Sequence, residues 1–313
     1  MVMTVEQRKK KRRKRSQNPV EKKKRAKKLE RFLKAVRPYG EPINMVKHPK
    51  EVEWLSTGFQ ELDDAISGTR YENDPSKVVP GSGRGLPRGR IVEIYGPEAA
   101  AKTSLALSVI ANAQRKGLLC VFIDVEHALD RQYASSVLGV DISSVPIMEP
   151  KNGEDALNML LTAVEEKVDV IVLDSVAALV SKAEKGGGKA LGEQARMMSS
   201  VCRKITSYLD NGSGSLVIFI NQIRYKIGVV FGNPEVTSGG NALKFYSSVR
   251  VEVKKKKNLK KATKVKGRPA VIGQRIRMRV EKCKLAPSYD NTCLFDVRFG
   301  KGLSVPKLRS SDE

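Results

Sequence analysis

Four predominantly apolar runs constrain this chain more than any other feature: RIVEIYG (90–96), LLCVFID (118–124), DVIVLDSV (169–176) and SLVIFINQI (215–223). A strand with one face in water alternates apolar and polar residues. These runs do not, so each strand must be covered on both sides. Between them lie segments with helical periodicity, KTSLALSVIANAQRK (102–116), GEDALNMLLTAVEEK (153–167) and ALGEQARMMSSVCRKITSYL (190–209). Strand–helix alternation of this kind predicts a mostly parallel, doubly wound α/β sheet flanked by helices. After residue 245 the helices stop. SVRVEVKKKK, AVIGQRIRMRVEKCK and TCLFDVRFGKG follow at short spacing and predict an antiparallel extension of the same sheet.

In a sheet of this class, ligands gather at the carboxyl ends of strands, and the first strand-to-helix turn is the usual phosphate cradle. GPEAAAKTS (96–104) occupies that turn. It has the frame of a phosphate-binding loop, with one departure: the residue before the lysine is Ala101 rather than glycine. Gly96, Pro97, Glu98, Ala99, Ala100 and Ala101 form the expected cradle. Lys102 supplies positive charge at the β/γ phosphates, Thr103 a hydroxyl for Mg²⁺, and Ser104 continues the first helical turn. Glycine is usual at position 101 because the backbone there turns left-handed, at a cost to alanine of about 1–2 kcal/mol. That weakens nucleotide binding without abolishing it; the competing reading is an ordinary turn before a helix.

Three polar groups close the neighbouring apolar runs. Asp174 ends VIVLD and suits a Walker B role toward Mg²⁺. Glu126, just past LLCVFID, is placed to polarise an attacking water. Gln222, in FINQ, is placed to sense a γ-phosphate. Each alone would pass as a surface residue capping a strand; three at successive strand ends point to one site.

The net charge of +24 is local. Residues 1–37 hold 17 Lys/Arg against three Glu, and residues 251–284 hold 14 against two. The rest of the chain is close to neutral, so two basic patches sit on a neutral body, as in polyanion binders; a solvated, solubilising tail is the alternative for the first. The stretch 1–27 is expected to be a disordered basic arm. KLERFLKAVRPYG (28–40) predicts a short helix with an apolar stripe of Leu29, Phe32, Leu33 and Val36. The expected division is an arm over 1–27, a helix and strand over 28–50 that dock on the chain's own core or on a neighbouring subunit, a nucleotide-binding core over 51–302 and a short tail over 303–313. Four cysteines without CxxC pairing and two histidines argue against a zinc site or disulfide framework. No apolar run reaches the roughly 18–20 residues of a membrane span, and a cytoplasmic location is expected.

EIYGPEAAAKTSLALSVIANAQRKG, FIDVEHALD, VDVIVLDSVAAL, ARMMS and above all FINQIRYKIGVVFGNPEVTSGGNALKFYSSVR resemble the RecA family of DNA strand-exchange recombinases, from about residue 56 to 302. The resemblance implies an ATP- and Mg²⁺-dependent homo-oligomeric filament on single-stranded DNA that pairs it with duplex in recombination and repair. It implies Glu126 as general base, Asp174 as the Walker B residue and Gln222 as γ-phosphate sensor. Asp130 and Tyr133 would contact adenine, and Lys282 and Lys284 would reach the phosphates of a neighbouring subunit. Two loops would hold DNA: 181–198, with Arg196 and Arg203 near phosphates, and 224–241, with Ile227 and Val229 between bases and Gly239, Gly240 and Asn241 on phosphate.

Several features depart from the family pattern. Besides Ala101, these are an apparent insertion over 70–84, the heavy basic arm, and an end soon after FGKGLSVPKL. They suggest a shortened, phage-encoded relative acting in a host cytoplasm, with the arm replacing a missing duplex-gathering domain. Two rivals remain at this level: a DNA-annealing protein with a degenerate nucleotide site, and a ring helicase on the same core.

Overall fold

A computed structural model describes residues 19–39, 52–67, 85–180, 192–225, 232, 234–265, 268–286 and 292–306. The chain divides into two compact units between Glu51 and Val52. In the first, helix α1 (Pro19–Val36) leads into a single 3-10 turn, Arg37–Tyr39. It starts well ahead of the helix expected over 28–37. Proline at the first helical position followed by Lys, Glu, Arg and Ala needs no buried face to be helical. Val20, Leu29 and Phe32 stay in water, the last two at 57% and 59% exposure, while Leu33 is half-buried.

The second unit opens with a small antiparallel pair, β1 (Trp54–Leu55) and β2 (Leu86–Pro87), and helix α2 (Gln60–Ser67). The Asp63 carboxylate ties this entry together by accepting from Thr57 N (2.8 Å), Thr57 Oγ1 (2.6 Å) and Ser56 Oγ (2.5 Å).

The main sheet carries β3 (Ile91–Gly96), β4 (Cys120–Asp124), β5 (Ile147–Met148), β6 (Val170–Asp174), β7 (Leu216–Tyr225), β8 (Glu235–Thr237), β9 (Val249–Val265), β10 (Arg268–Cys283), β11 (Thr292–Arg298) and β12 (Gly302–Ser304). Its order is β12-β11-β10-β9-β3-β7-β6-β4-β5, with β8 appended to β7. Pairing is parallel from β9 through β5 and antiparallel from β9 to β12 and at β7–β8. The predicted doubly wound sheet with an antiparallel extension is therefore the observed fold.

The strands without a polar face feed two cores. Val170, Val172, Ile218 and Phe122 pack on the side of α3 (Lys102–Arg115), with Leu105 and Ile110. Their neighbours Ile171, Leu173 and Phe219 point to the other side, toward α5 (Gly153–Glu165) and α6 (Glu193–Asp210), against Leu160, Met198 and Ile205. Period-two alternation with both faces apolar is what a covered sheet requires. Two short helices, α4 (Arg131–Ser136) and α7 (Ala242–Tyr246), complete the unit. Among the described residues no helix is long and apolar enough to cross a membrane.

Candidate functional site

Strand order assembles the site. β3, β7, β6 and β4 are consecutive neighbours, so their carboxyl ends form one edge. Register aligns them closely: Gly96 lies opposite Gln222, and Asp174 opposite Asp124. A cleft of about 680 Å³ opens above that edge, lined by residues 98–104, Glu126, Asp174, Gln222, Gln274 and Val297. Such a volume falls in the range of small-molecule and nucleotide sites.

The loop before α3 makes the left-handed turn expected of it even without glycine. Ala101 sits at φ 69°, ψ 28°, and Ala99 at φ 54°. Lys102 folds back to donate to the Pro97 carbonyl at 2.6 Å. Burial holds its ammonium below the usual lysine range, opposed by the nearby charges of Asp174, Glu126 and Glu98. Gly96 answers a different need. A Cβ there would lie 2.0 Å from the Val253 carbonyl oxygen, so glycine lets β9 pass close to the end of β3.

Thr103 donates its hydroxyl to Asp174 Oδ2 at 2.5 Å. Burial pushes the Asp174 carboxyl up to about 6; the Thr103 hydrogen bond opposes this, while Glu126 and Asp124 add to it. Glu126 accepts from Ser175 Oγ and from Gln222 Nε2, the latter at 3.1 Å. Asp124, fully committed to structure, accepts from the backbone of Ala128 (3.3 Å) and Leu129 (3.0 Å) and shapes the turn that presents Glu126. One short network thus joins Thr103–Asp174 and Ser175–Glu126–Gln222 across three strand ends.

No group of three or more His, Cys, Asp or Glu side chains that could cage a metal occurs among the described residues. The donor set instead fits Mg²⁺ carried in on phosphates, which needs one hydroxyl and one or two carboxylates and keeps its waters.

The other sequence-predicted residues lie outside the lining of this cleft. Asp130 caps α4 by accepting from Tyr133 N at 2.8 Å. Lys282 donates to the carbonyls of Lys244 (2.6 Å) and Phe245 (3.2 Å), and Lys284 to that of Phe245 (2.9 Å). Burial, then the positive neighbours Lys284 and Arg250, hold the Lys282 ammonium down at about 8. Arg196 and Arg203 are exposed along α6. Gly239 and Gly240 adopt φ 79° and 72° and press on α6 and the 3-10 turn at Val176, where a Cβ would meet Val176 and Met198 or Ala195 at 3.0 Å or less. Gly239 N also donates to Gln194 Oε1 at 3.1 Å. Asn241 precedes α7 with its side chain not capping it. Ile227, Val229 and most of the two loops, like the expected insertion at 70–84, lie outside the described residues.

The second loop is nonetheless bounded. Ile223, Arg224 and Tyr225 pair with Thr237, Val236 and Glu235, so β7 and β8 form an antiparallel stem beginning one residue past Gln222. Asn221, beside it, donates to Glu93 Oε1 (2.9 Å) and the Ser238 carbonyl (3.0 Å). Glu93 is fully buried and also accepts from Arg250 Nε at 2.5 Å, and Arg250 lies 4.4 Å over the Tyr95 ring.

Sequence reasoning missed Gln274 and Val297 in the cleft. They come from β10 and β11, and only the placement of those strands beyond β9 brings them over the loop.

The profile of the RecA N-terminal domain matches residues 47–304, most of the chain. The chain belongs to the RecA family. It is 48% identical over 258 residues to Protein RecA of Rhizobium leguminosarum bv. viciae, covering 81% of this chain and 67% of that protein. Protein RecA of Agrobacterium fabrum shares 49% over 258 residues, 81% of this chain and 64% of its own length. That of Nitrobacter winogradskyi shares 46% over 271 residues, 85% and 68% respectively. The chain spans about two thirds of the length of these RecA relatives.

Proposed function

We propose that this RecA-family chain is a DNA-dependent ATPase that assembles as a filament on single-stranded DNA and catalyses homologous pairing and strand exchange in the cytoplasm. One observation carries the reading. Gln222 touches Glu126 inside the cleft and is also the last residue of β7 before the stem of the 226–234 loop. A nucleotide event at the cleft and a DNA event at that loop therefore meet at one side chain.

Each residue has a definite task. The backbone of residues 98–101 and Lys102 receive the phosphates, and the Lys102 ammonium leaves the Pro97 carbonyl for them. Thr103 and Asp174 would hold Mg²⁺, which lends positive charge to the β- and γ-phosphate oxygens when bound. Glu126 takes the proton of the attacking water, released for that work when Gln222 turns toward the γ-phosphate. Asp130 and Tyr133 meet the adenine end. Lys282 and Lys284 lie away from their own cleft and satisfy backbone carbonyls in the single protomer. A neighbour's phosphates would supply the counter-charge that the depressed Lys282 ammonium lacks, which couples assembly to nucleotide. Arg196, Arg203 and the 226–241 loop, with Ile227, Val229, Gly239, Gly240 and Asn241, face the DNA.

The test is phosphate release from ATP with and without single-stranded DNA, read alongside filament formation by electron microscopy. Stimulated release that disappears in Lys102→Ala supports the reading. DNA annealing with no stimulated release from the intact chain would assign a nucleotide-degenerate annealing protein instead.

A further inference from the structure

Glycine adopts the left-handed turn of a phosphate loop unaided; alanine does not. This loop uses alanine at both of its positive-φ positions, Ala99 and Ala101. Part of the restraint is local: Lys102 Nζ reaches the Pro97 carbonyl, and Leu105 N donates to the Ala101 carbonyl at 3.1 Å. A further restraint arrives from a distant strand. Gln274, on β10, donates from Nε2 to the Ala99 carbonyl at 2.7 Å and lines the cleft.

The geometry that delivers Gln274 is specific. The register of β10 on β9 shifts between Val271 and Gly273, the mark of a bulge, and bulges re-aim the side chains beside them. Gly273 permits the accompanying close approach, because a Cβ there would lie 2.2 Å from the Val297 carbonyl oxygen. The chemistry of the side chain is equally pointed. The flanking strand is rich in cations, with Arg268, Arg275, Arg277 and Arg279, yet the residue presented to the loop is a neutral amide. An amide N–H holds a carbonyl without being drawn off it by phosphate, whereas a lysine or arginine at that place would compete with Lys102 for the ligand.

We propose that Gln274 is a positioning residue for the nucleotide loop: it anchors the Ala99 carbonyl so that a glycine-poor turn keeps its phosphate-binding shape. The proposal rests on the reading of residues 96–104 as a nucleotide site and deepens it. It also makes nucleotide affinity depend on how the β9–β10 hairpin is seated.

The experiment uses the full chain and a fluorescent ADP analogue with Mg²⁺. Dissociation constants are measured for the wild type, Gln274→Ala, Gln274→Glu and Ala101→Gly, and for each Gln274 change combined with Ala101→Gly. In the alanine loop, Gln274→Ala should weaken binding roughly three- to tenfold, the scale of one hydrogen bond. Gln274→Glu should weaken binding at least as much as alanine despite its matching size, since a carboxylate cannot donate and repels the phosphates. In the Ala101→Gly background the loss should shrink, because only Ala99 of the two left-handed alanines still needs holding. A second readout needs no ligand: amide hydrogen exchange of residues 97–101 in the nucleotide-free protein should quicken in Gln274→Ala and be restored by Ala101→Gly. Equal losses in both backgrounds, or unchanged exchange, overturn the proposal. Failure of the wild type to bind any nucleotide would instead remove the nucleotide-site reading, and this inference with it.

Discussion

The parallel half of the sheet and its antiparallel half handle charge in opposite ways. From β3 to β4, nearly everything along the strands is apolar, and polar groups are confined to the carboxyl ends, where they converge on one cleft. The exception is Glu93, buried in mid-strand and held by Asn221 and Arg250. Across β9–β11, charge runs along the strands. Val249, Val251, Val253, Ile276, Met278 and Phe295 are buried. Their alternate neighbours form ion pairs: Arg275–Asp296 at 2.7 Å, Arg277–Glu252 at 2.9 Å, and Lys254 with Glu235 at 2.6 Å. Past Lys254 the lysines reach solvent, with Lys255, Lys256, Lys260 and Lys261 all exposed. A count of positive charge over 251–284 therefore overstates the free patch. The inner part of the hairpin commits its arginines to its own sheet, and the outer part offers its lysines to partners.

If charge at the strand ends is chemical in purpose, its removal should leave the fold and stop turnover. Glu126→Gln should keep the melting temperature and nucleotide affinity within small margins while DNA-stimulated phosphate release falls about 10²–10⁴-fold; a loss below tenfold in a steady-state assay would take the general-base role from Glu126. The mid-strand exception predicts the reverse. Arg250→Met leaves the Glu93 carboxylate buried with one neutral partner, and should cost about 3–5 kcal/mol in urea unfolding.

Asp174 sharpens the contrast, because its site opposes its own charge. Its folded pKa, about 6, lies above the ordinary carboxylate value of 3.8. The free protein therefore carries a penalty that is absent below pH 3.8 and complete once pH has risen through 6. Asp174→Asn should then stabilise the nucleotide-free protein at pH 7 by up to about 3 kcal/mol while weakening Mg²⁺-nucleotide binding. The gain should shrink as pH falls from about 7 toward about 4; thermal melts across that range check it. The smallest effect on stability is expected at the outer hairpin. Replacing Lys255, Lys256, Lys260 and Lys261 together with Gln should shift stability by under about 0.5 kcal/mol per site. The salt dependence of DNA binding should nonetheless flatten, by about 0.9 in slope for each duplex phosphate that these lysines no longer neutralise. An unchanged slope would reduce the outer lysines to solubilising charge.

The same contrast explains what could be read in the sequence. β3, β4, β6 and β7 were legible because a strand buried on both faces has no room for polar residues, and the phosphate loop because its chemistry is contiguous. The left-handed Ala101 was legible too, since the turn dictates that backbone whatever residue fills it. Gln274 was not, because nothing in the local letters of β10 says which loop it will face. The ion pairs of Arg275 and Arg277 were hidden for the same reason: a cation's partner is set by strand register. At α1, a charged stretch suggested disorder, but the inability to bury a face does not preclude a helix, and Pro19–Val36 is helical.

The route of β7 has a mechanical corollary. It parts from β6 after Leu173–Phe219 and from β3 after Gly96–Gln222, and continues beside β8. On the inner side of Gln222 the backbone is gripped by two neighbours; on the outer side it belongs to a compliant two-stranded ribbon. A push delivered at that residue meets more backbone pairing toward the sheet interior than toward the ribbon, so the strand resists it unequally in the two directions.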